Sequence, residues 1–348
     1  MKITFETRDF EIGVVHCDGP LVQLAVPVTF SAWDANQDGA FFATEFFRKR
    51  GWTACFVRAK WNHWWHCDDI RGALEELAAD HGNIFFYGAS MGGYGALYYS
   101  RMLDCPGISF SPQGAVAPDA IPQDNRWLYD RSKLSPVFDE KEVLASTCTR
   151  PAYCFSDMSH ALDKLHSEYL QAHAGPNSKI EMLDAPHTFH QTIRAAQRSG
   201  LLECLLSGLC GGARVDTTGL RTASANMFKS TVKGRADNLR RRGNATSEEV
   251  SAILNGLDQK KLDFEEAYML AELCSAVGMN ETALALSWQS VDLNPTDYVL
   301  VKHAKILRQH LGKEFAYIAL SLYADHLKFG AQSAALMASL ADEVATTQ

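Results

Sequence analysis

The stretch Asn83-Ile84-Phe85-Phe86-Tyr87-Gly88-Ala89-Ser90-Met91-Gly92-Gly93-Tyr94-Gly95-Ala96-Leu97 constrains this chain more than any other. An apolar run of strand type enters it, and a helix-like run of small residues leaves it. Between them, Gly88 and Gly92 flank Ser90 in a GxSxG pattern. A serine on so sharp a strand-to-helix turn sits in strained backbone geometry, and a side chain at either glycine would collide with the turn. Gly93, Gly95 and Ala96 let the outgoing helix lie close against a sheet. The turn also puts the Ser90 hydroxyl at a helix N-terminus, where the dipole and free N–H groups favour negative charge. A phosphate-cradling loop is the rival reading. It is weak, because no Lys-Ser/Thr follows the glycines and the GxGxxG spacing is not met.

Around this turn the chain shows two regimes. Up to about Leu206, short apolar runs alternate with amphipathic stretches; from about Ser247 onward the apolar period is helical. Strands are expected at Ile3–Thr7, Ile12–His16, Leu21–Phe30, Thr53–Arg58, Asn83–Tyr87, Gly107–Phe110, Ala152–Phe155 and Lys179–Leu183. Helices are expected at Ala40–Lys49, Asp68–Ala79, Met91–Met102, Glu140–Ser146 and His160–Ala172. Two or three opening strands followed by strand–helix alternation predict an α/β fold: a sheet that starts antiparallel, becomes mostly parallel and carries helices on both faces. Ligands of such sheets bind beyond the carboxyl ends of the strands. The expected division is 1–206 for this module, 207–246 for a linker containing some helix, and 247–348 for an all-helical module.

Gly88–Leu97 with its flanks resembles the nucleophile elbow of the α/β-hydrolase fold, and the resemblance covers about the first 205 residues. The wording Tyr-Gly-Ala-Ser-Met-Gly-Gly-Tyr-Gly-Ala is also similar to bacterial esterase-like and acyltransferase-like branches of that superfamily, including accessory-secretion proteins that act on glycans. The resemblance implies Ser90 as a nucleophile, activated by a base that a third group orients. It also implies the chain order serine, acid, histidine. Asp157 ends the apolar run Pro151–Ser156 and is the expected acid; His187 follows Lys179–Leu183 through Asp184-Ala185-Pro186 and is the expected base. Each has a rival: Asp163 for the acid and His190 for the base. Asp184 stands too close to His187 to orient it easily, and His160 and His166 read as surface residues flanking a helix. The oxyanion hole would take the N–H of Met91 and a second N–H from the loop Thr29–Asp34, at Ala32 or Ser31.

Lys60-Trp61-Asn62-His63-Trp64-Trp65-His66-Cys67-Asp68-Asp69 is the oddest stretch, with three tryptophans and two histidines. With Trp33, the residues Trp61, His63 and Trp64 are expected to wall a pocket, since indole faces suit sugar rings or apolar acyl groups. Packing on the core is an equal alternative. A metal held by His63, His66, Cys67 and Asp68 is conceivable from residue types, but no partner cluster accompanies them, and neither metal nor cofactor is expected.

In the last hundred residues, Ala271, Ala283 and Ser290 with a closing Asn294-Pro295 resemble one tetratricopeptide repeat. Gly278 and Gly312, like Leu273 and Leu307, stand 34 positions apart, the period of that family. The second copy, Val301–Phe329, is degenerate. Such an array would dock a protein partner or a substrate chain, or be a plain helical appendage.

A formal charge of −8 argues against nucleic acid as a partner. No stretch approaches the roughly 20 apolar residues of a membrane span, no signal peptide is evident, and nine scattered cysteines without CxxC spacing suit a reducing cytoplasm. The expectation is thus a cytoplasmic serine hydrolase acting on a small-molecule or glycan-linked ester. The alternatives are an acyltransferase on the same residues, and a non-catalytic interaction protein working through its helices.

Overall fold

The computed structural model describes residues 1–17, 23–33, 41–212, 215–258, 261–324 and 330–345. Leu21, Asp34, Ala40 and Phe329, which bound expected elements, lie outside these. The strands are β1 (Lys2–Glu6), β2 (Phe10–Val15), β3 (Val26–Phe30), β4 (Ala54–Ala59), β5 (Ile84–Ala89), β6 (Gly107–Phe110), β7 (Ala152–Ser156) and β8 (Ile180–Asp184). They form one sheet in the order β1-β2-β4-β3-β5-β6-β7-β8. The β1–β2 and β2–β4 pairs are antiparallel and the others parallel. This is the expected fold class, an α/β-hydrolase-type sheet that begins antiparallel and becomes parallel.

Alternation along the central strands explains why both faces are covered. In β5, Ile84 and Phe86 enter one apolar cluster while Phe85, Tyr87 and Ala89 enter the other. In β4, Cys55, Val57 and Ala59 face the first cluster, and Ala54 and Phe56 the second. A strand buried on both faces needs helices on both, and its sequence reads as a continuous apolar run. On the first face lie α2 (Ile70–His81) and α3 (Met91–Met102); on the second lies α1 (Thr44–Lys49). Beyond β6 follow α4 (Leu128–Arg131) and α5 (Glu140–Ala145), and α6 (Ala161–His173) joins β7 to β8. After β8 come α7 (Thr192–Arg198), α8 (Leu201–Cys210) and α9 (Thr217–Ala225).

The chain divides into two compact units, Met1–Ser230 and Thr231–Gln348. The expected linker 207–246 is therefore corrected. Leu201, Leu202, Leu205, Leu206, Cys210, Leu220 and Met227 are buried in the second-face cluster, and Ser224 Oγ donates to the Asp184 carbonyl at 2.6 Å. Apolar residues at helical spacing tie the first part of this segment, up to Ser230, to the sheet, and from Thr231 the chain belongs to the second unit.

The second unit is helical in its described residues: α10 (Val232–Arg242), α11 (Ser247–Asn255), α12 (Phe264–Ala276), α13 (Asn280–Leu293), α14 (Asp297–Leu311), α15 (Lys313–Leu322) and α16 (Ala331–Ala345). Thr246 and Asp263 open α11 and α12 with capping boxes. Helix α12 packs on α13, and α14 on α15. Gly278 and Gly312 stand at the turns inside these two pairs, with φ of 81° and 101°. No helix among the described residues is long and apolar enough to cross a membrane.

Candidate active site

Ser90 joins β5 to α3 with φ 55° and ψ −121°, a conformation that non-glycine residues rarely adopt. The turn is held open for it by its neighbours. A Cβ on Gly88 would run into the Gly92 backbone, and one on Gly92 into the carbonyls of Phe30 and Ser31 at the end of β3. A Cβ on Gly95 would meet the Trp65 indole, whose Nε1–H donates to the Met91 carbonyl at 2.8 Å.

His190 meets the serine. Its Nε2 lies 2.9 Å from Ser90 Oγ, and its Nδ1 lies 2.8 Å from Asp163 Oδ1. Asp163 occupies the first turn of α6, buried at 3% exposure, and His160 Nδ1 approaches the same oxygen at 3.3 Å. Burial alone would raise the Asp163 carboxyl. Attraction to the facing His190 and the hydrogen bonds from His160 and His190 outweigh it and hold the group well below the usual carboxylate range. The same Asp163 bond lifts His160 above its ordinary value, against burial. With Asp163 ionised, His190 carries its proton on Nδ1 and presents a free Nε2 lone pair to the Ser90 hydroxyl.

The expectation for Asp157 and His187 is corrected by this geometry. Asp157 is fully buried, but its Oδ1 accepts from Ser159 N–H (2.8 Å) and Oγ–H (2.5 Å), and its Oδ2 from Phe189 N–H (2.7 Å). It therefore anchors the turn that carries His190. His187 stands at φ 61°, its N–H reaching Ser159 Oγ at 3.4 Å. With Phe189 also left-handed at φ 54°, the chain needs three residues beyond His187 before a ring returns over Ser90.

At the mouth of the elbow, Met91 N–H opens α3. Ser31 N–H is committed to the Val57 carbonyl at 3.0 Å, and Ser31 Oγ accepts from Ala59 N–H at 3.1 Å. Of the two N–H groups expected for the second donor, that of Ser31 is therefore already spent. The contact of Gly92 with Phe30 and Ser31 brings this strand end beside Met91.

The aromatic stretch divides. Trp64 and Trp65 are fully buried, with φ of 45° and 65°. His63 is buried too: its Nε2–H donates to the Asp9 carbonyl at 3.0 Å, and its Nδ1 accepts from Trp65 N–H at 3.0 Å. Burial pushes His63 down to about 4. His66 Nδ1 accepts from Val137 N–H (3.2 Å), its Nε2–H donates to Tyr94 Oη (2.8 Å), and Tyr94 O–H donates to Glu140 (2.8 Å). Burial likewise holds His66 at about 4. Trp61 is partly exposed, but its Nε1–H donates to Asp9 in the β1–β2 turn at 2.9 Å. His63 and Trp64, fully buried, are thus core packing instead of pocket wall, while Trp61 keeps an exposed ring tied to the β1–β2 turn. Among the described residues no group of three His, Cys, Asp or Glu is placed to hold a metal.

Trp33 stays beside the site through a residue the sequence did not single out. Trp127, before α4, lies 6.3 Å from the His190 ring and 6.0 Å from each of Trp33 and Trp64, centroid to centroid. A second unforeseen residue is Gln113, after β6, whose Nε2 lies 3.3 Å from Ser90 Oγ. The only signal for it was its place just past the carboxyl end of a strand.

No family model matches the chain, and no curated protein does. Solved structures similar to it include 2,6-dihydroxy-pseudo-oxynicotine hydrolase, at 15% identity and TM-score 0.42, over 59% of this chain and 66% of that one. An alpha/beta superfamily hydrolase from Oenococcus oeni PSU-1 follows at 11% and 0.41, over 61% and 100%. An esterase from Pyrococcus furiosus matches at 16% and 0.38, over 59% and 87%. The chain spans just under two thirds of the first of these proteins. At such distances no residue role or substrate carries over.

Proposed function

We propose that this chain is a serine hydrolase that cleaves a carboxylic ester through an acyl-enzyme on Ser90. The observation that carries this reading is the single line Ser90–His190–Asp163, with both imidazole nitrogens spent at 2.9 and 2.8 Å. Ser90 Oγ attacks the acyl carbonyl and its proton passes to His190 Nε2. The C–O bond then breaks, and the leaving alcohol takes that proton. Water repeats the sequence on the acyl-serine and regenerates the hydroxyl. Asp163 holds the imidazole tautomer and matches the imidazolium charge. Met91 and Ala32 N–H groups receive the oxyanion.

The first unit, Met1–Ser230, holds every residue of this scheme. Two turn glycines 34 positions apart support reading the second as a short helix-pair array of tetratricopeptide kind. Reaction with a fluorophosphonate probe tests the central assignment. A phosphonate adduct on Ser90, lost in Ser90→Ala, is expected; an unlabelled wild-type chain would refute it.

A further inference from the structure

Gln113 is placed with unusual care for a loop residue. Its neighbours tie the segment after β6 to the elements that carry the other site residues. Ser111 N–H donates to the Phe155 carbonyl (2.7 Å), Ser111 Oγ meets Thr192 Oγ1 (2.7 Å), and Gly114 N–H donates to His166 Nδ1 in α6 (2.9 Å). Gln113 itself is 3% exposed. Because the Ser90 hydroxyl donates to His190, its oxygen is an acceptor towards Gln113, which turns the amide NH2 to the serine and the amide oxygen away. That oxygen is buried with no donor among the described residues. A buried acceptor without a donor is unfavourable, and rotation of the amide, which gives up only the 3.3 Å contact with Ser90, would turn it to a ligand O–H or N–H arriving beside Ser90.

The wall next to His190 indicates which donor. Trp127 and the partly exposed Trp33 present indole rings, and beside Trp33 stands the Asp130 carboxylate. Its Oδ2 takes Trp33 Nε1–H at 3.0 Å and Asn62 Nδ2–H at 3.3 Å. Arg126, the cation stacked on Trp127 at 4.7 Å, is already matched by two bonds to Asp124 at 2.9 and 2.8 Å. Indole faces beside a carboxylate and an amide suit a ring with C–H faces and several hydroxyls better than an anion or a plain acyl chain.

Resting on the hydrolase reading above, we infer that the substrate is an ester of a polyhydroxylated ring, a sugar or cyclitol. A hydroxyl adjacent to the esterified oxygen donates to Gln113 Oε1, and the ring lies along Trp127 and Trp33. A site built to bond a hydroxyl rejects the analogue lacking it far more strongly than an apolar pocket rejects a methylene.

The test compares kcat/KM of the full chain for a mono-O-acetyl methyl glycoside with a free neighbouring hydroxyl, its deoxy analogue, and p-nitrophenyl acetate. A preference for the hydroxylated ester over the deoxy one of about 100-fold or more is expected. Gln113→Leu should bring that preference close to unity, read as the ratio of the two glycoside esters, and a circular-dichroism spectrum and denaturation midpoint matching wild type show that the variant folds. Trp127→Ala should raise KM for the glycoside more than it lowers kcat. Equal rates on the hydroxylated and deoxy esters, or an equal loss on every ester in Gln113→Leu, would overturn the inference. Ester cleavage that survives Ser90→Ala would instead overturn the hydrolase reading beneath it, so the two failures are told apart.

Discussion

Ser90 is held mainly by its own stretch of chain, whereas His190 is held by residues far from it in sequence. The elbow is fixed by Gly88 against Gly92 and by a tight helix entry, all within a few positions, with the end of β3 closing over it. The turn carrying His190 is fixed by Asp157, 32 positions before Phe189, and by Ser111, 81 positions before Thr192. The elbow's strain is met by local sterics, so its substitutions should act on the backbone. The histidine turn is an assembly of side-chain hydrogen bonds, so its substitutions should act on orientation.

Asp163→Asn gives the largest separation. It removes the charge facing His190 and the preference for the Nδ1–H tautomer, so kcat should fall about 10³–10⁴-fold with the fold retained. Asp157→Asn touches no reacting group. It loosens the turn at Phe189 and Ser159, and should cost about 1–3 kcal/mol of stability and roughly 10-fold in rate. Steady-state kinetics paired with denaturant titration checks both. Equal rate losses in the two variants would erase the distinction between acid and anchor.

The brace under the elbow has its own signature in pH. His63 and His66 are neutral in the folded chain and held at about 4 by burial, against about 6.5 when unfolded. Between these values the unfolded chain binds more protons, so stability is lost as pH falls from about 6.5 to about 4 and levels off below. Each imidazole accounts for roughly 3 kcal/mol at full effect. Urea unfolding at pH 7, 5.5 and 4 should show the decline, and a flat profile would contradict the neutral bracing role.

The smallest effect is at Ser90 itself. With φ 55° and ψ −121°, Ser90→Gly relieves strain and should raise stability by about 1 kcal/mol while abolishing activity. A destabilised glycine variant would show that the turn is not strained.

The same contrast explains what could be read from the sequence. Strands buried on both faces appear as apolar runs, so β4, β5, β6 and β7 fall within a residue or two of expectation, and Ser90 follows from the glycines around it. Asp163 and His190 were visible only as rivals, six and three positions past the favoured residues. Both favoured residues do lie just beyond strand ends. Which side chain turns inward depends, however, on left-handed residues at His187 and Phe189 and on a helix start at His160, and none of these has a periodic signature. Trp127 and Gln113 lie in the irregular segments after β6, where no pattern marks them. The expected linker failed because Leu201–Cys210 and Leu220 are apolar at helical spacing, and that signal outweighs the glycines between them.

The central claim is that His190, and not His187, activates Ser90. Phosphonylation rates of His190→Ala and His187→Ala measured side by side test it most directly. The His190 variant should label at least about 10³-fold more slowly than wild type, with the His187 variant within about 10-fold of it. The reverse order would contradict the account.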